Sequence, residues 1–339
     1  MKILVTGGLG FIGTNFIHYW LETHPTDQIT NLDKVTYAAN PTNFDDYVDN
    51  HNYKFVKGDI NDVALLDQIL PGIDLIVHFA AETHVDRSID DPMAFVKTNV
   101  LGTYTLLNSA KKHGNIRFHH ISTDEVFGSI PLGSTAQFSE TSPYDPSSPY
   151  SATKASSDHF VRAFGKTFGL PITISNCSNN YGPYANPEKL VPRMITNLID
   201  GQKIPVYGQG ANFRDWLYVT DHCRAIDTII SHGIIGETYC IGGLKETSRN
   251  IDLVKKVIKL MGKSEDVIEY VADRPAHDNY AVNWDKISTD LGWKPLETLE
   301  SGLKKTIDWY VSHESWWRDS KAEAEAFYIK LNNYKNLNK

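Results

Sequence analysis

Cysteine is scarce in this chain: among 339 residues there are three, Cys177, Cys223 and Cys240. Their scattered spacing gives neither a disulfide framework nor a zinc site, and it fits a reducing compartment. A basic excess is missing as well. Lys and Arg number 33 against 41 Asp and Glu, for a formal charge of -8 and a pI near 5.9. Nothing therefore replaces counterions along a nucleic acid or holds the chain on anionic lipid, although a small polyanion met by local cations stays open. No run of about 18 apolar residues occurs, and there is no repeat, low-complexity tract or long linker. In "MKILVTGG" the first glycines come too early for the apolar stretch of a signal peptide. The expectation is a soluble cytoplasmic protein with no membrane or nucleic-acid partner and no metal.

What is present is ordinary globular material, 41% hydrophobic and 22% charged. The length exceeds that of a single core, so one large and one smaller lobe are expected. Up to about residue 180 a short β-branched run, a glycine or polar turn and a segment of helical period recur. The strand candidates are 2–6, 28–33, 53–59, 74–80, 116–122 and 172–178, with helix candidates near 11–23, 62–70, 92–113 and 150–168. Near-continuous apolar strands alternating with helices indicate a doubly wound parallel α/β sheet with right-handed crossovers. Beyond 180, Pro and Gly become frequent and shorter strands alternate with helices near 187–200, 219–232 and 250–261. Residues 181–339 are read as a smaller α/β lobe, with about 213–245 returning to the first.

"TGGLGFIG" follows the first strand and opens a helix, with Gly7, Gly8, Gly10 and Gly13 satisfying the dinucleotide spacing. Such glycines let backbone approach a pyrophosphate seated on the amides of a helix start, here Phe11, Ile12 and Gly13. Asp33 ends the second strand 20 residues past Gly13, where a carboxylate takes both ribose hydroxyls and repels a 2′-phosphate. NAD is therefore expected rather than NADP, with Lys34 beside the ribose. Asp59 and Ile60, after the third strand, suit an adenine amine and ring face, although Asp59 reads equally well as a helix cap. Ala80 and Ala81 in "FAAETHVDRS" are small enough to let a cofactor lie close, and Thr83, His84, Asp86 and Arg87 share that sheet edge.

"YSATK" places Tyr150 and Lys154 on one helix face. An ammonium near a phenol favours the phenolate and makes it a usable base for an alcohol. "STDEVFG", after the strand ending at 122, adds the adjacent acids Asp124 and Glu125. Two neighbouring carboxyls in a dry pocket do not easily both ionise, which leaves one as acid and one as base. Alternation along a regular strand would separate them, so the strand is expected to end there with both tips reaching one ligand.

Together these motifs resemble the extended short-chain dehydrogenase/reductase family over nearly the whole chain, and within it the nucleotide-sugar 4,6-dehydratases. "AAETHVDRSI", "STDEVFG", "SPYSATKASSDHFVRA", "NNYGPY", "EKLVP", "PVYGQGANFRDWLYVTDH" and "DRPAHD" carry the likeness. The acid pair is its most specific part, since epimerases and decarboxylases of the family keep the Tyr and Lys but lack it. The resemblance implies that Tyr150 takes the sugar 4-hydroxyl proton, aided by Lys154 and Thr123. It also implies that Glu125 removes the C5 proton and a protonated Asp124 serves the departing 6-hydroxyl.

By the same resemblance Thr98, Asn176, Tyr150 and Lys154 join the cofactor site, Lys154 holding the nicotinamide ribose, and Arg214 and Arg274 clamp the pyrophosphate. Thr83, His84, Asn179, Glu188, Lys189, Leu190, Pro205, Tyr207, Asn250 and His277 contact the rest of a nucleotide-diphosphate sugar, and the protein forms a homodimer through a helical bundle. The chain departs from the family after "DRPAHD", where it runs directly to Asn279 and Tyr280, and at Phe127 and Leu9, where Tyr and Ala are usual. Competing readings are a dehydratase of a UDP- or other nucleotide sugar, a family epimerase or decarboxylase, and a member that binds NAD without catalysis. Adjacent His119 and His120 point to opposite faces of a strand and read as core.

Overall fold

The β-branched runs form strands because branched side chains pack well on a pleated surface, and each intervening helix lays an apolar face on the sheet. The computed structural model describes residues 1–243, 248–273 and 278–337, with side chains to 329. In chain order the first lobe has β1 (Lys2–Thr6), α1 (Phe11–Thr23), β2 (Gln28–Asp33), β3 (Tyr53–Lys57), α2 (Val63–Ile69), β4 (Leu75–His78), α3 (Val85–Asp90), α4 (Pro92–Phe95), α5 (Thr103–Lys112), β5 (Arg117–Thr123), α6 (Pro149–Phe168) and β6 (Ile172–Cys177). There follow β7 (Asn179–Tyr181), α7 (Leu190–Ile199), β8 (Ile204–Tyr207), β9 (Phe213–Arg214), β10 (Trp216–Tyr218), α8 (Val219–His232), β11 (Thr238–Ile241), β12 (Ser248–Arg249), α9 (Asn250–Leu260), β13 (Ile268–Val271), α10 (Asp285–Leu291), α11 (Leu299–Ser312) and α12 (Glu314–Leu337).

Seven strands form one sheet in the order β11-β6-β5-β4-β1-β2-β3. Every pairing in it is parallel. The order reverses between β1 and β4, the switch point at which such sheets open a crevice beyond their strand ends. Alternation along β1 sends Ile3 and Val5 to a layer with Phe16, Trp20 and Ile226, and Leu4 to the opposite layer with Leu106, Phe118 and Val161. A separate core of Met194, Ile195, Val257, Leu303, Tyr310 and Trp317 fills the second lobe. The return of the chain to the first lobe is visible in α8, whose Cys223, Ile226 and Ile230 pack under the sheet, and in β11, which extends it beside β6.

Two sequence expectations are revised. The helix near 92–113 is three pieces, α4, a π-helical turn over Val96–Gly102, and α5. At the turn, the Asn99 side chain accepts from Glu82 N at 2.9 Å and donates to Glu82 O at 3.0 Å and to Thr153 Oγ1 at 2.9 Å. These three tertiary bonds hold a bulge that helical period cannot announce. The helix near 187–200 begins only at Leu190. His119 and His120 are core, as expected: His119 meets Thr173 and Ser175, and His120 meets Ser157.

Candidate active site

At the switch point lies a cavity of about 480 Å³ that extends from the glycine turn to the second lobe, within the range of small-molecule sites. Its first half is shaped for a dinucleotide. Gly7 has φ +72°, and a Cβ there would fall 2.6 Å from Ala80 Cα. Gly10 caps α1 with no side-chain bond, leaving the first-turn amides for an outside acceptor. The Asp33 oxygens accept from Leu9 N at 3.0 Å and Val35 N at 2.8 Å, which fixes the carboxyl on the wall with lone pairs to spare. Burial pushes Asp33 up, against these two bonds.

Asp59 pairs with Lys34 at 2.7 Å and accepts from Asn61 N at 2.9 Å. Burial pushes its carboxyl up, but the Lys34 and Asn61 bonds outweigh that and leave it below the usual range. The cap of α2 is instead Asp62, which accepts from Leu65 N at 3.0 Å. Phe11, Ile12, Gly13, Lys34, Ile60, Ala80, Ala81 and Thr98 all line the cavity. These residues fit NAD. Gly13→Ala is expected to weaken NAD binding about 10-fold or more, roughly 1.4 kcal/mol. The added Cβ would lie 2.5 Å from Gly7 O, so the turn or α1 must move, and isothermal titration measures the loss.

The chemical half is built where β5 ends. Thr123 is the last strand residue, and its Oγ1 accepts from Glu125 N at 3.3 Å, turning the chain into a 3-10 turn over Asp124–Phe127. Opposite, Ser148 and Ser151 form a reciprocal capping box with Pro149 in the first turn, which starts α6 just before Tyr150. Tyr150, Lys154, Thr123 and Glu125 line the cavity together. Tyr150 hydrogen-bonds Thr123, while burial and the Glu125 carboxylate push its phenol well above 10. Lys154 Nζ donates to Ile121 O at 2.7 Å, and burial draws the ammonium down to about 8 against the pull of Asp158.

Asp124 lies behind the wall rather than on it. It is 1% exposed, and its Oδ2 has no partner among the described residues. Burial first, then the Glu125 and Asp215 charges, push it well above the carboxylate range. The strand ends where expected, but only Glu125 reaches the cavity directly, because successive residues of so tight a turn point in different directions.

In the second lobe Asn179, Glu188, Lys189, Leu190, Pro205, Tyr207, Arg214 and Asn250 line the cavity, with Thr83 and His84 facing them from the first. Lys189 Nζ joins the two sides by donating to Thr83 O and Oγ1 at 3.4 Å each. The Arg214 guanidinium is held by Phe213 O at 2.9 Å and by Asp278 O, and lies 4.7 Å over the Tyr280 ring. Arg274 and His277 lie outside the described residues.

Asn176 does not line the cavity. Paired with Ser122 within the sheet, it is fully buried and donates to Thr123 O at 3.0 Å and Asp158 Oδ2 at 3.1 Å. Asn180, past the strand end, reaches the wall instead. Sequence reasoning also missed Arg193 and Tyr328, both on the wall. Tyr328 arrives on α12, donating to Glu188 O at 3.1 Å with His84 Nε2 at 3.3 Å. Beside it the Arg87 guanidinium lies between the Tyr37 ring at 3.8 Å and the Phe327 ring at 4.2 Å, and Nε meets Glu188 at 3.2 Å. The aromatic pair at 327–328 was the available signal, but nothing local told how far the tail reaches.

A family model described as GDP-mannose 4,6 dehydratase matches residues 4–306. The dTDP-glucose 4,6-dehydratase of Mycolicibacterium smegmatis is 48% identical, covering 97% of this chain and 98% of its own. The structure of dTDP-glucose 4,6-dehydratase from Bacillus anthracis in complex with NAD has a TM-score of 0.88 at 46% identity, covering 95% of this chain and 100% of that one. A UDP-glucuronic acid 4-epimerase from Bacillus cereus in complex with UDP-glucuronic acid and NAD reaches 0.84 at 28% identity, over 92% and 99% of the two chains.

Proposed function

We propose that this chain, which belongs to the extended short-chain dehydrogenase/reductase family through its GDP-mannose 4,6 dehydratase branch, converts dTDP-glucose to dTDP-4-keto-6-deoxyglucose and water. The observation that carries the reading is Glu125 on the cavity wall with Tyr150 and Lys154, and directly before it the buried Asp124, whose carboxyl is pushed well above the usual range. Epimerases of this fold need the phenol and the ammonium but have no use for two acids. Held by the first-turn amides of α1, Asp33 and the small residues at 80–81, NAD would supply a reversible hydride acceptor for oxidation at C4 and reduction at C6 of the sugar.

The residues divide the proton work. Tyr150, hydrogen-bonded by Thr123, accepts the proton of the sugar 4-hydroxyl, and the Lys154 ammonium stabilises the phenolate that this requires. The resulting ketone acidifies C5. Glu125 removes the C5 proton as general base. Asp124, just behind the wall, supplies a proton to the 6-hydroxyl as it leaves, its Oδ2 having no partner among the described residues. The start of α6 adds a favourable dipole for negative charge on Tyr150.

Residues 1–180, with about 213–245, form the NAD-binding lobe. The remainder of 181–339 holds the nucleotide, with Arg214 offering a guanidinium to the diphosphate and Asn179, Glu188, Lys189, Leu190, Pro205, Tyr207 and Asn250 surrounding the ribose and base. The protein works in the cytoplasm, in keeping with three free, buried cysteines, and no helix among the described residues is long and apolar enough to cross a membrane.

Two copies pair through the first-lobe helices. The support is an exposed apolar face carrying Met93, Val96, Leu101, Tyr104, Phe160 and Phe168, each at least 38% exposed. A Leu101→Glu, Phe160→Glu double variant is expected to run as a single chain where wild type runs as two, read by light scattering after size exclusion. The function itself is tested by incubation with dTDP-glucose, UDP-glucose and other nucleotide hexoses. Loss of one water, with the alkaline absorbance of a 4-keto sugar, is expected from dTDP-glucose, and no water loss from any of them would end the dehydratase reading.

A further inference from the structure

Beneath the catalytic pair lies a set of buried polar groups that the steps above leave unused. Asp158 follows Lys154 by one helical turn on α6, so the two side chains leave the same face. The Asp158 carboxyl is fully buried and is not part of the cavity wall. Tyr144 donates to its Oδ2 at 2.6 Å and Asn176 Nδ2 at 3.1 Å, while His120 Nε2 stands 3.3 Å from Oδ1. On the far side Arg162 donates to the Tyr144 hydroxyl at 2.8 Å and to Thr238 Oγ1 at 3.2 Å. An apolar residue of similar size would fill this space at lower cost, because an ionised carboxylate is expensive to bury. Three separate elements instead converge to keep it charged.

The groups that face Lys154 show what the charge is for. From α6 it is Asp158, from β4 His78, from β5 His120 and from β6 Cys177. Burial drives His78 well down and His120 to about 4, so both are neutral at pH 7. Burial pushes the Cys177 thiol up to about 12, so it too is neutral. Asp158 remains: burial pushes it up, but the His120 and Tyr144 bonds and the Lys154 charge outweigh this and hold it at about 2. Among the described residues it is the opposite charge that these elements present to Lys154, whose ammonium otherwise has the single backbone bond to Ile121 O at 2.7 Å.

We propose that Asp158 is a positioning residue of the reaction, a buried carboxylate that keeps the Lys154 ammonium charged and thereby sets the pH at which Tyr150 can accept the hydroxyl proton. The inference rests on the dehydratase reading for its kinetic consequence; for the state of Lys154 it rests on the placement of Asp158 one turn along the same face of α6, fixed there by Tyr144, Asn176 and His120. The sign follows from the charges. Without the carboxylate, Lys154 loses its proton at lower pH, the phenolate loses its neighbouring cation, and Tyr150 becomes harder to ionise. Tyr144, Asn176 and His120 are then the groups that hold Asp158 in place, which also gives Asn176 its use.

The test is the pH profile of kcat/KM for wild type, Asp158→Asn and Asp158→Glu. The Asn variant keeps the shape and removes the charge, so its acidic limb is expected to move up by about one unit, an activity loss of about 10-fold at pH 7. The Glu variant keeps the charge and is expected to bring the limb back toward wild type. A limb that stays in place while activity falls in proportion at every pH would overturn the inference, since that is the mark of a merely structural role. Should the Asn variant not fold, titration of Lys154 in wild type by pH-dependent reductive methylation decides. A midpoint at or above pH 7 supports the inference and a lower one overturns it. Wild type that releases no water from dTDP-glucose defeats the dehydratase reading and leaves the Lys154 titration interpretable; active wild type with an unmoved Asn limb defeats only this inference.

Discussion

Glu125→Gln is expected to abolish exchange of solvent deuterium into C5 and to lower water release by about 10²- to 10⁴-fold, the usual contribution of a general base. The substitution is nearly isosteric, and the Thr123 Oγ1 bond to the residue 125 amide belongs to the backbone, so the turn after β5 keeps its shape. What the amide cannot do is accept a proton. Tyr150, Thr123 and Lys154 are untouched, so oxidation at C4 should persist and separate from elimination. Deuterium exchange read by NMR in heavy water therefore discriminates sharply. Exchange that survives in the variant would remove Glu125 from the base role. An epimerase would barely notice the change.

The second large effect falls on the first step. Tyr150→Phe is expected to lower turnover by about 10²- to 10⁴-fold by removing the group that accepts the 4-hydroxyl proton, while NAD binding holds. Its structural cost is small: the phenol sits in the first turn of α6, where the Ser148 and Ser151 capping box fixes the backbone, and one lost hydrogen bond is worth about 1 kcal/mol. Loss of activity together with a large fall in thermal midpoint would point to a packing role instead. In this variant C5 exchange should also disappear, because no ketone forms to acidify that carbon. Thus Glu125→Gln stops exchange alone and Tyr150→Phe stops oxidation and exchange together.

What could be read from the sequence follows the range over which each feature is determined. The glycine turn, Asp33 and the Tyr150–Lys154 pair are local spacings fixed by the strand or helix that carries them, so position along the sheet sufficed to place them at one cavity. The end of β5 at Thr123 was legible because adjacent acids and a following glycine do not continue a buried strand. Depth was not legible: whether Asp124 or Glu125 meets the cavity depends on a single turn of chain. Likewise Asn176 and Asn180 sit in one run, but the register of β6 against β5 buries the first, while the second leaves the sheet on β7, paired with Leu217 of β10, and reaches the wall.

The π-helical turn and the tail escaped for a different reason. Asn99 bulges its helix through bonds to Glu82 and Thr153, partners 17 and 54 positions away. Tyr328 reaches His84 from 244 positions along the chain, and Phe327 completes the Arg87 stack from α12. Such features are set by where whole elements pack, and no periodicity in their own segment records them.

In the proposed reaction one cavity carries out an oxidation, an elimination and a reduction on a single hexose without letting go of the hydride. dTDP-glucose bearing deuterium at C4 tests this in one measurement. The label is predicted to appear at C6 of the 4-keto-6-deoxy product, with one solvent proton at C5. Label left at C4, lost to solvent, or released in stoichiometric reduced cofactor would contradict it.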